Sequence, residues 1–237
     1  MAIDSLSHIP KGPWRFDENV SECFEDMISR SIPQYEMMRK AVTQIGSQFI
    51  EGVEGGLVID LGCSRGGAIQ SMANCSPDCK YVGVEVSEPM IKLAREQFAS
   101  NPNVEIRQAD ICHQYPSEVN VSLVLANLTI QFTPIEYRQG IIQNIYNSLK
   151  PGGAFIFVEK ILGESSKIDN IFVAQYLQFK AESGYSQESI NRKKLSLEGV
   201  LVPVTDRWNQ DLLRDAGFRD IGCFWRFLNF AGWLAIK

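Results

Sequence analysis

Several acidic residues of this sequence follow short apolar runs, and their spacing is typical of a ligand-binding site. Asp60 follows the apolar residues 57–59 and precedes a glycine-rich segment, residues 62–67. The apolar run is typical of a strand buried on both faces of a parallel sheet. Missing side chains in the following turn allow a ligand to approach the backbone. An acid at this position repels phosphate and favours a cationic ligand.

The spacing of the glycines distinguishes a dinucleotide site, a P-loop and a SAM site. The dinucleotide pattern Gly-x-Gly-x-x-Gly fails because its third position is Ser64. The P-loop pattern also fails, since no Gly-Lys-Ser/Thr follows at the required distance. A carboxylate two residues before Gly62 instead suits the α-ammonium and sulfonium groups of S-adenosylmethionine (SAM). An ordinary strand–helix turn is the alternative interpretation of this segment when it is taken alone.

Polar residues also end the next three predicted strands. Glu85 lies about twenty residues past the glycine turn, where α/β cofactor folds bind ribose hydroxyls with a carboxylate. Asp110 could accept a hydrogen bond from the adenine amine, with Ile111 against the ring. Asn127 ends the fourth strand, and ligands of open α/β sheets bind at the carboxyl ends of strands. The alternative is that Asp110 and Asn127 only cap loops.

The elements that must position these residues alternate between strand and helix. Strands are predicted at residues 57–59, 80–85, 104–111, 121–127 and 154–158. Helices are predicted at residues 18–29, 34–49, 68–73, 134–149 and 206–216, with residues 151–153 ending the fourth of them. Another helix begins near Ser87, a plausible N-cap. Two apolar segments, residues 223–227 and 230–236, are joined by only a few residues, which favours an antiparallel pair.

Two regions extend beyond a bare α/β sheet. Residues 14–50 form a predicted helical cover for the cofactor pocket, after a loose tail over residues 1–12. Residues 164–200 form a predicted helical insert that contains a basic cluster, Arg192-Lys193-Lys194. Such a cluster is normally a solvated helix face.

The composition is that of one globular domain over residues 1–237, with 45% hydrophobic residues to form its core. A net charge of −5 and a pI of about 5.2 argue against a broad nucleic-acid-binding surface. No apolar run approaches the ~20 residues that span a bilayer, and we recognise no N-terminal signal peptide. We therefore expect a cytoplasmic protein without membrane or direct nucleic-acid contacts.

The cysteines and histidines do not predict a metal site. Six cysteines are scattered along the chain, and the pair Cys75 and Cys79 lacks a second matching pair. His8 and His113 are the two histidines of the chain. Reduced thiols, as in cytosolic proteins, are the expectation.

Longer motifs are more specific than the glycine turn. They are Trp14-x-Phe16-Asp17, Ser31-Ile32-Pro33-x-Tyr35, Asp60-Leu61-Gly62-Cys63-Ser64, Asn127-x-Thr129-x-Gln131-Phe132, Glu159-Lys160 and Gly184-Tyr185-Ser186. Together with the strand-end acids, they resemble the class I SAM-dependent methyltransferase fold and, more closely, the carboxy-S-adenosylmethionine (carboxy-SAM) synthase family. The resemblance runs from residue 14 to the C-terminus. It implies a Rossmann-like α/β fold with a seven-stranded, mostly parallel sheet and an antiparallel C-terminal strand.

The resemblance also implies an activity. A homodimeric enzyme would convert SAM and prephenate to carboxy-SAM and phenylpyruvate, and a separate transferase would use the product on the wobble uridine of certain tRNAs. The SAM methyl would be deprotonated to a sulfonium ylide that captures the carbon dioxide lost from prephenate. Matching the motifs places the cofactor contacts at Tyr35, Gly62, Cys63, Ser64, Glu85, Val86, Asp110, Ile111 and Asn127, beside the Asp60 already identified. The resemblance gives no catalytic base.

Two positions depart from the family. Val86 stands where the family has asparagine, and Lys194 stands where the family has the arginine that binds the product's carboxylate. Lysine retains the positive charge but not the planar, two-pronged geometry. Two alternative functions are therefore kept open: a SAM-dependent methyltransferase acting on another small molecule, and a non-catalytic SAM-binding subunit.

Overall fold

The apolar runs form one sheet in the computed structural model, which describes residues 12–237. The strands are β1 Leu57–Leu61, β2 Lys80–Glu85, β3 Val104–Gln108, β4 Val121–Asn127, β5 Leu149–Leu162, β6 Val204–Thr205, β7 Asp220–Phe227 and β8 Phe230–Ile236. The helices are α1 Glu18–Glu22, α2 Phe24–Ser31, α3 Tyr35–Ser47, α4 Gly67–Cys75, α5 Glu88–Gln97, α6 Ile135–Ser148, α7 Ser166–Glu182, α8 Gln187–Leu197 and α9 Asp206–Ala216. The tail expected over residues 1–12 lies almost wholly outside the described residues.

The strand order places β1 and β4 side by side at the centre. The order is β3-β2-β1-β4-β5-β8-β7, and β6 pairs with β5 beside this path. The pairs from β3 to β5 are parallel, whereas β8 runs antiparallel to β5 and β7. The order reverses between β1 and β4, so their carboxyl ends form the crevice in which such sheets bind ligands. The predicted class I fold is confirmed, and the two-residue β6 adds an eighth strand.

Three predicted boundaries are wrong. The helix predicted over residues 18–29 is divided at Cys23 into α1 and α2. β3 ends at Gln108 rather than at residue 111, because its parallel partner β2 ends at the paired Glu85. Residues 151–153 lie inside the long β5, since the backbone of this stretch is hydrogen-bonded to Lys237 at the end of the chain.

Helices cover both faces of the sheet and bury its apolar side chains. On one face Ile145 and Leu213, from α6 and α9, pack in a core with Trp233 of β8. On the other face Met38 and Ile69, from α3 and α4, pack in a second core. Burying a side chain of this size contributes about 1.5–3 kcal/mol relative to leaving it exposed.

A third, smaller core joins the N-terminal helices to the insert. Trp14, Phe24 and Met27 are buried there with Met90 of α5, and Leu197 of α8 packs against them. The backbone N–H of Trp14 also donates to the carbonyl of Ser196 at 2.8 Å. The cover and the insert therefore form one layer over the carboxyl ends of the strands. Within residues 12–237, no helix has the length and hydropathy needed to cross a membrane.

Candidate active site

The turn after β1 is shaped by its contacts with the neighbouring strands. The backbone N–H groups of Gly62 and Cys63 both donate to the carbonyl of Val84, at 2.8 and 3.0 Å. Gly62 has a φ of +71°, and a Cβ atom there would lie 2.4 Å from Oγ1 of Thr129. The same Thr129 oxygen donates to the carbonyl of Leu61 at 2.9 Å. Glycine is required at position 62 because Thr129 occupies the space of a side chain.

Glu85 is held at the end of β2 by three backbone donors. Its Oε2 accepts from the N–H of Ser64 at 2.9 Å, and its Oε1 accepts from Val86 and Ser87, both at 2.9 Å. The carboxylate is therefore oriented before any ligand binds. Ser87 in turn donates its hydroxyl to the carbonyl of Phe16 at 2.6 Å, which fastens the N-terminal cover to this strand end.

Asp60 is a buried acid without a hydrogen-bonding partner among residues 12–237, and it is only 2% exposed. Burial and the charge of Glu85 raise the pKa of Asp60 to about 8, although the guanidinium of Arg39 opposes the shift. A cation bound beside Asp60 would favour its ionised form. Asp60 is therefore suited to a binding site for a cationic ligand.

Asn127 provides a second acceptor at this point. Its Oδ1 is buried and has no hydrogen-bond partner among the described residues. Buried polar atoms of this kind are normally satisfied, so an unpaired one that borders a cavity indicates a ligand donor. An ammonium group near Asp60 and Asn127 would satisfy both side chains.

The carboxyl ends of the strands open into two adjoining cavities, of about 340 and 60 Å³. All ten predicted cofactor-binding residues line them. The larger cavity is lined by Gly62, Ser64, Glu85, Val86, Asp110, Ile111 and Asn127. The smaller is lined by Tyr35, Asp60, Gly62, Cys63, Ser64 and Asn127. The structure therefore brings these residues together, while the contact that each makes with SAM stays a prediction.

Lys194, predicted to bind a carboxylate, lies outside both cavities on the exposed side of α8. The neighbouring Lys193 is 8% exposed and lines the larger cavity instead. Ile190 and Ser196 are buried on the same side of α8 as Lys193, so the helix turns Lys193 inward and Lys194 outward. Carboxylate binding by Lys194 remains a prediction.

Aromatic side chains from the N-terminal cover close the larger cavity. The rings of Trp14 and Phe16 meet edge to face at 5.9 Å, and Phe16 meets Phe132 in the same way at 5.3 Å. Tyr176 and Phe230, with ring centroids 5.4 Å apart, line another part of the wall. These rings give the cavity an apolar wall next to the strand ends.

Sequence reasoning missed Lys193, Lys160 and Tyr176 as cavity residues. A signal existed for Lys193, because it stands three residues after Ile190 and four before Leu197, on the apolar face of α8. Lys160 belongs to the Glu159-Lys160 motif, for which the family resemblance implies no role. No sequence signal pointed to Tyr176.

Comparisons with known proteins bear on this geometry. Residues 58–153 match a methyltransferase domain family. A carboxy-S-adenosyl-L-methionine synthase of Histophilus somni is 36% identical over 95% of this chain and 94% of its own length. The enzyme of the same name from Aeromonas hydrophila is 36% identical over 95% of this chain and 91% of its own length. The one from Actinobacillus succinogenes is 34% identical over 100% of both chains. The chain belongs to the carboxy-SAM synthase family.

Solved structures agree with the fold. Human N-acetylserotonin methyltransferase in complex with SAM superimposes with a TM-score of 0.59 at 15% identity, over 93% of this chain and 55% of that one. A candidate SAM-dependent methyltransferase of Methanococcus maripaludis gives a TM-score of 0.61 at 20% identity, over 97% of both chains. At these identities the likeness shows the class I fold alone.

Membership of the carboxy-SAM synthase family makes this chain a SAM-utilising enzyme, as the sequence predicted. The site fits that ligand: Asp60 and the unpaired Oδ1 of Asn127 suit the ammonium group, and Glu85 lies at the end of β2, where a carboxylate suits ribose hydroxyls. Among residues 12–237, no group of three or more His, Cys, Asp and Glu side chains is arranged to hold a metal ion. His8 lies outside the described residues.

Proposed function

We propose that this enzyme converts SAM and prephenate to carboxy-SAM and phenylpyruvate. The observation that carries the proposal is the near full-length similarity to carboxy-SAM synthases. It is supported by a cavity that joins an acidic end, suited to the SAM cation, to a wall with the basic residues Lys160 and Lys193. A second substrate that carries negative charge would fit the basic wall.

The reaction balances without a further reactant. Prephenate loses carbon dioxide and hydroxide to become phenylpyruvate, and the SAM methyl loses a proton to become the sulfonium ylide. The ylide carbon forms a bond to the carbon of carbon dioxide, which gives the carboxymethyl group. The proton and the hydroxide leave together as water, so a side-chain base is not required by the stoichiometry.

The protein's contribution is to bind, orient and exclude water. Asp60 and Asn127 would hold the amino-acid end of SAM, and Glu85 would accept from the ribose hydroxyls. Asp110 and Ile111 would contact the adenine. The aromatic wall would keep bulk water from protonating the ylide before it meets carbon dioxide.

Lys194 belongs to this proposal as a ligand of the new carboxylate. Because its side chain lies outside the cavity of its own chain, the contact requires a second copy or a shifted insert. We therefore include a homodimer in the proposal. Light scattering coupled to size-exclusion chromatography measures the oligomeric state. A Lys194→Ala variant that forms carboxy-SAM at the wild-type rate would remove this residue from the site.

The cellular role follows from the same proposal. Carboxy-SAM would pass to a separate transferase that modifies the wobble uridine of certain tRNAs, so this chain itself need not contact RNA. A cytoplasmic location suits that role.

One assay tests the proposed reaction. The enzyme is incubated with SAM, with and without prephenate, and the nucleoside products are identified by mass spectrometry. Carboxy-SAM, heavier than SAM by one carbon dioxide, is expected only when prephenate is present. Formation of S-adenosylhomocysteine with a methylated acceptor would instead indicate a methyltransferase. Bound SAM that stays unmodified, with prephenate intact, would indicate a non-catalytic subunit.

A further inference from the structure

We propose that Lys160, Lys180 and Lys193 form a binding site for a small organic dianion with two carboxylates and an apolar body. We refer to these three residues as the lysine cluster. The inference rests on the proposed function and deepens it, because it assigns residues of this chain to the second substrate. The cluster is distinct from Lys194 and from the strand-end acids.

Three separate elements bring the lysine cluster together. Lys160 lies on β5, Lys180 on α7 and Lys193 on α8, and two tyrosine rings connect them. The Nζ atoms of Lys160 and Lys180 lie 4.8 and 5.8 Å from the ring centroid of Tyr176. The Nζ atoms of Lys180 and Lys193 lie 5.1 and 5.9 Å from that of Tyr185. Lys160 and Lys193 face the larger cavity, and Lys180 stands behind them.

Lys180 and Lys193 are buried and Lys160 is half-buried, and Asp169 acts on Lys160 only from beyond ion-pair distance. Lys180 is 4% exposed and Lys193 is 8% exposed, yet none of the three is within ion-pair distance of a carboxylate in residues 12–237. Lys193 donates to the hydroxyl of Ser31 at 3.2 Å and lies 4.9 Å from the Trp14 ring centroid. Cation–π contacts compensate burial only in part, and an unpaired buried charge is costly.

Mutual repulsion adds to that cost. Burial and the charge of Lys180 lower the pKa of Lys193 to about 7. Burial and the charge of Lys160 lower the pKa of Lys180 to about 8. A bound anion would reverse both shifts, because opposite charge nearby stabilises the ammonium form. An arrangement that destabilises the empty protein in this way is typical of a binding site.

Nearby acids do not form ion pairs with the lysine cluster. Glu159, adjacent to Lys160 in sequence, turns both carboxylate oxygens to backbone N–H groups of residues 130 and 131. Glu85 is held by the glycine turn. The cavity therefore has an acidic end and a basic end, and a cation such as SAM is directed to the former. The basic end needs an anion.

The number of cations and the aromatic wall define the ligand. Two lysines on the cavity wall, with a third behind them, match two carboxylates better than one. Phe132, Phe230 and Tyr176 line the same cavity and favour an apolar body between the charges. A hydrophilic anion such as phosphate has no apolar surface to contact these rings.

The test uses unreactive probes, so that it does not depend on turnover. Homophthalate carries two carboxylates on an aromatic ring, and phenylacetate carries one. Calorimetric titration in the presence of S-adenosylhomocysteine measures the dissociation constant of each probe for the wild type and for Lys160→Met and Lys193→Met. Methionine keeps the apolar stem but removes the charge. Lys92→Met, at an exposed position of α5, is the matched control.

We expect wild type to bind homophthalate more tightly than phenylacetate by about tenfold, and each cluster variant to weaken homophthalate binding by about tenfold or more. The dissociation constant of SAM should be unchanged, and the melting temperature of Lys193→Met should not fall, since an unpaired buried charge has been removed. Equal binding of the two probes, or undiminished binding by the variants, would overturn the proposal. So would a loss of SAM affinity in Lys193→Met, because the cluster would then hold the carboxylate of SAM.

The outcomes also separate this inference from the proposed function. A wild type that binds homophthalate through the cluster but makes no carboxy-SAM from prephenate refutes the reaction and leaves the anion site standing. A wild type that makes carboxy-SAM, with an unchanged KM for prephenate in both cluster variants, refutes the anion site and leaves the reaction standing.

Discussion

Glu159 and Gln131 are bound reciprocally across the gap between β5 and the turn that follows β4. Oε2 of Glu159 accepts from the backbone N–H of Gln131 at 2.7 Å, and Oε1 of Gln131 accepts from the backbone N–H of Lys160 at 2.7 Å. Oε1 of Glu159 also accepts from the N–H of Ile130 at 2.9 Å. These bonds fix the turn that follows Asn127 and carries Thr129, and so they support this wall of the cavity.

Removing the Glu159 carboxyl should therefore destabilise the fold. Glu159→Ala leaves two buried N–H groups without acceptors, at about 1–3 kcal/mol for each group. We expect the free energy of unfolding, measured by urea denaturation, to fall by about 2–6 kcal/mol. Glu164→Ala, an exposed glutamate a few residues further along, is the control. Equal stability of the two variants would show that the reciprocal bonds contribute nothing.

Gly62 and Gly140 offer a matched pair of glycine substitutions. Gly62→Ala places a Cβ against Thr129 at a positive φ, so we expect lower thermal stability and a SAM affinity reduced by about tenfold or more. Gly140 lies exposed within α6 with no atom near the position of a Cβ, so alanine there should stabilise by about 0.5–1 kcal/mol. Calorimetric binding and thermal melting measure both effects. A Gly62→Ala variant that binds SAM normally would contradict the steric argument.

Asp60 should make the stability of the ligand-free protein fall as pH rises. Its pKa is about 8 in the folded protein and near the ordinary value of 3.8 in the unfolded chain. Between these values the folded state binds more protons, so the stability that Asp60 contributes at low pH is lost as pH rises towards 8. The Asp60→Asn variant does not lose stability in this way. The difference in free energy of unfolding, variant minus wild type, should therefore increase from pH 5 to pH 8. A constant difference across this range, by urea denaturation, would contradict the prediction.

SAM binding should release a proton from Asp60. A cation beside the carboxylate lowers its raised pKa, so at pH 7 the complex holds fewer protons than the two free species. Calorimetric titrations in two buffers of different ionisation enthalpy count the protons released. Titration of Asp60→Asn under the same conditions subtracts the contribution of SAM itself. Identical proton counts for the two proteins would remove Asp60 from the linkage.

Local patterns predicted the strands that carry the strand-end acids. Apolar runs ended by Asp60, Glu85 and Asn127 became β1, β2 and β4, and their ends meet because parallel strands align their carboxyl ends. These strands could be predicted from short stretches of sequence, because each strand and the turn and helix that follow it are neighbours in the chain. The longer motifs identified the family for the same reason.

The basic side of the site depended on tertiary structure. Lys193 and Lys194 are adjacent in the sequence, but burial of Ile190 sets the rotation of α8 and directs only Lys193 into the cavity. Lys160 and Lys180 join it from β5 and α7 through the rings of Tyr176 and Tyr185. The amino-acid sequence alone thus determined the fold and the strand-end acids that line the cavities. The packing of the insert against the sheet decided which cations line the larger cavity, because the direction of a side chain on a helix is set by what that helix buries.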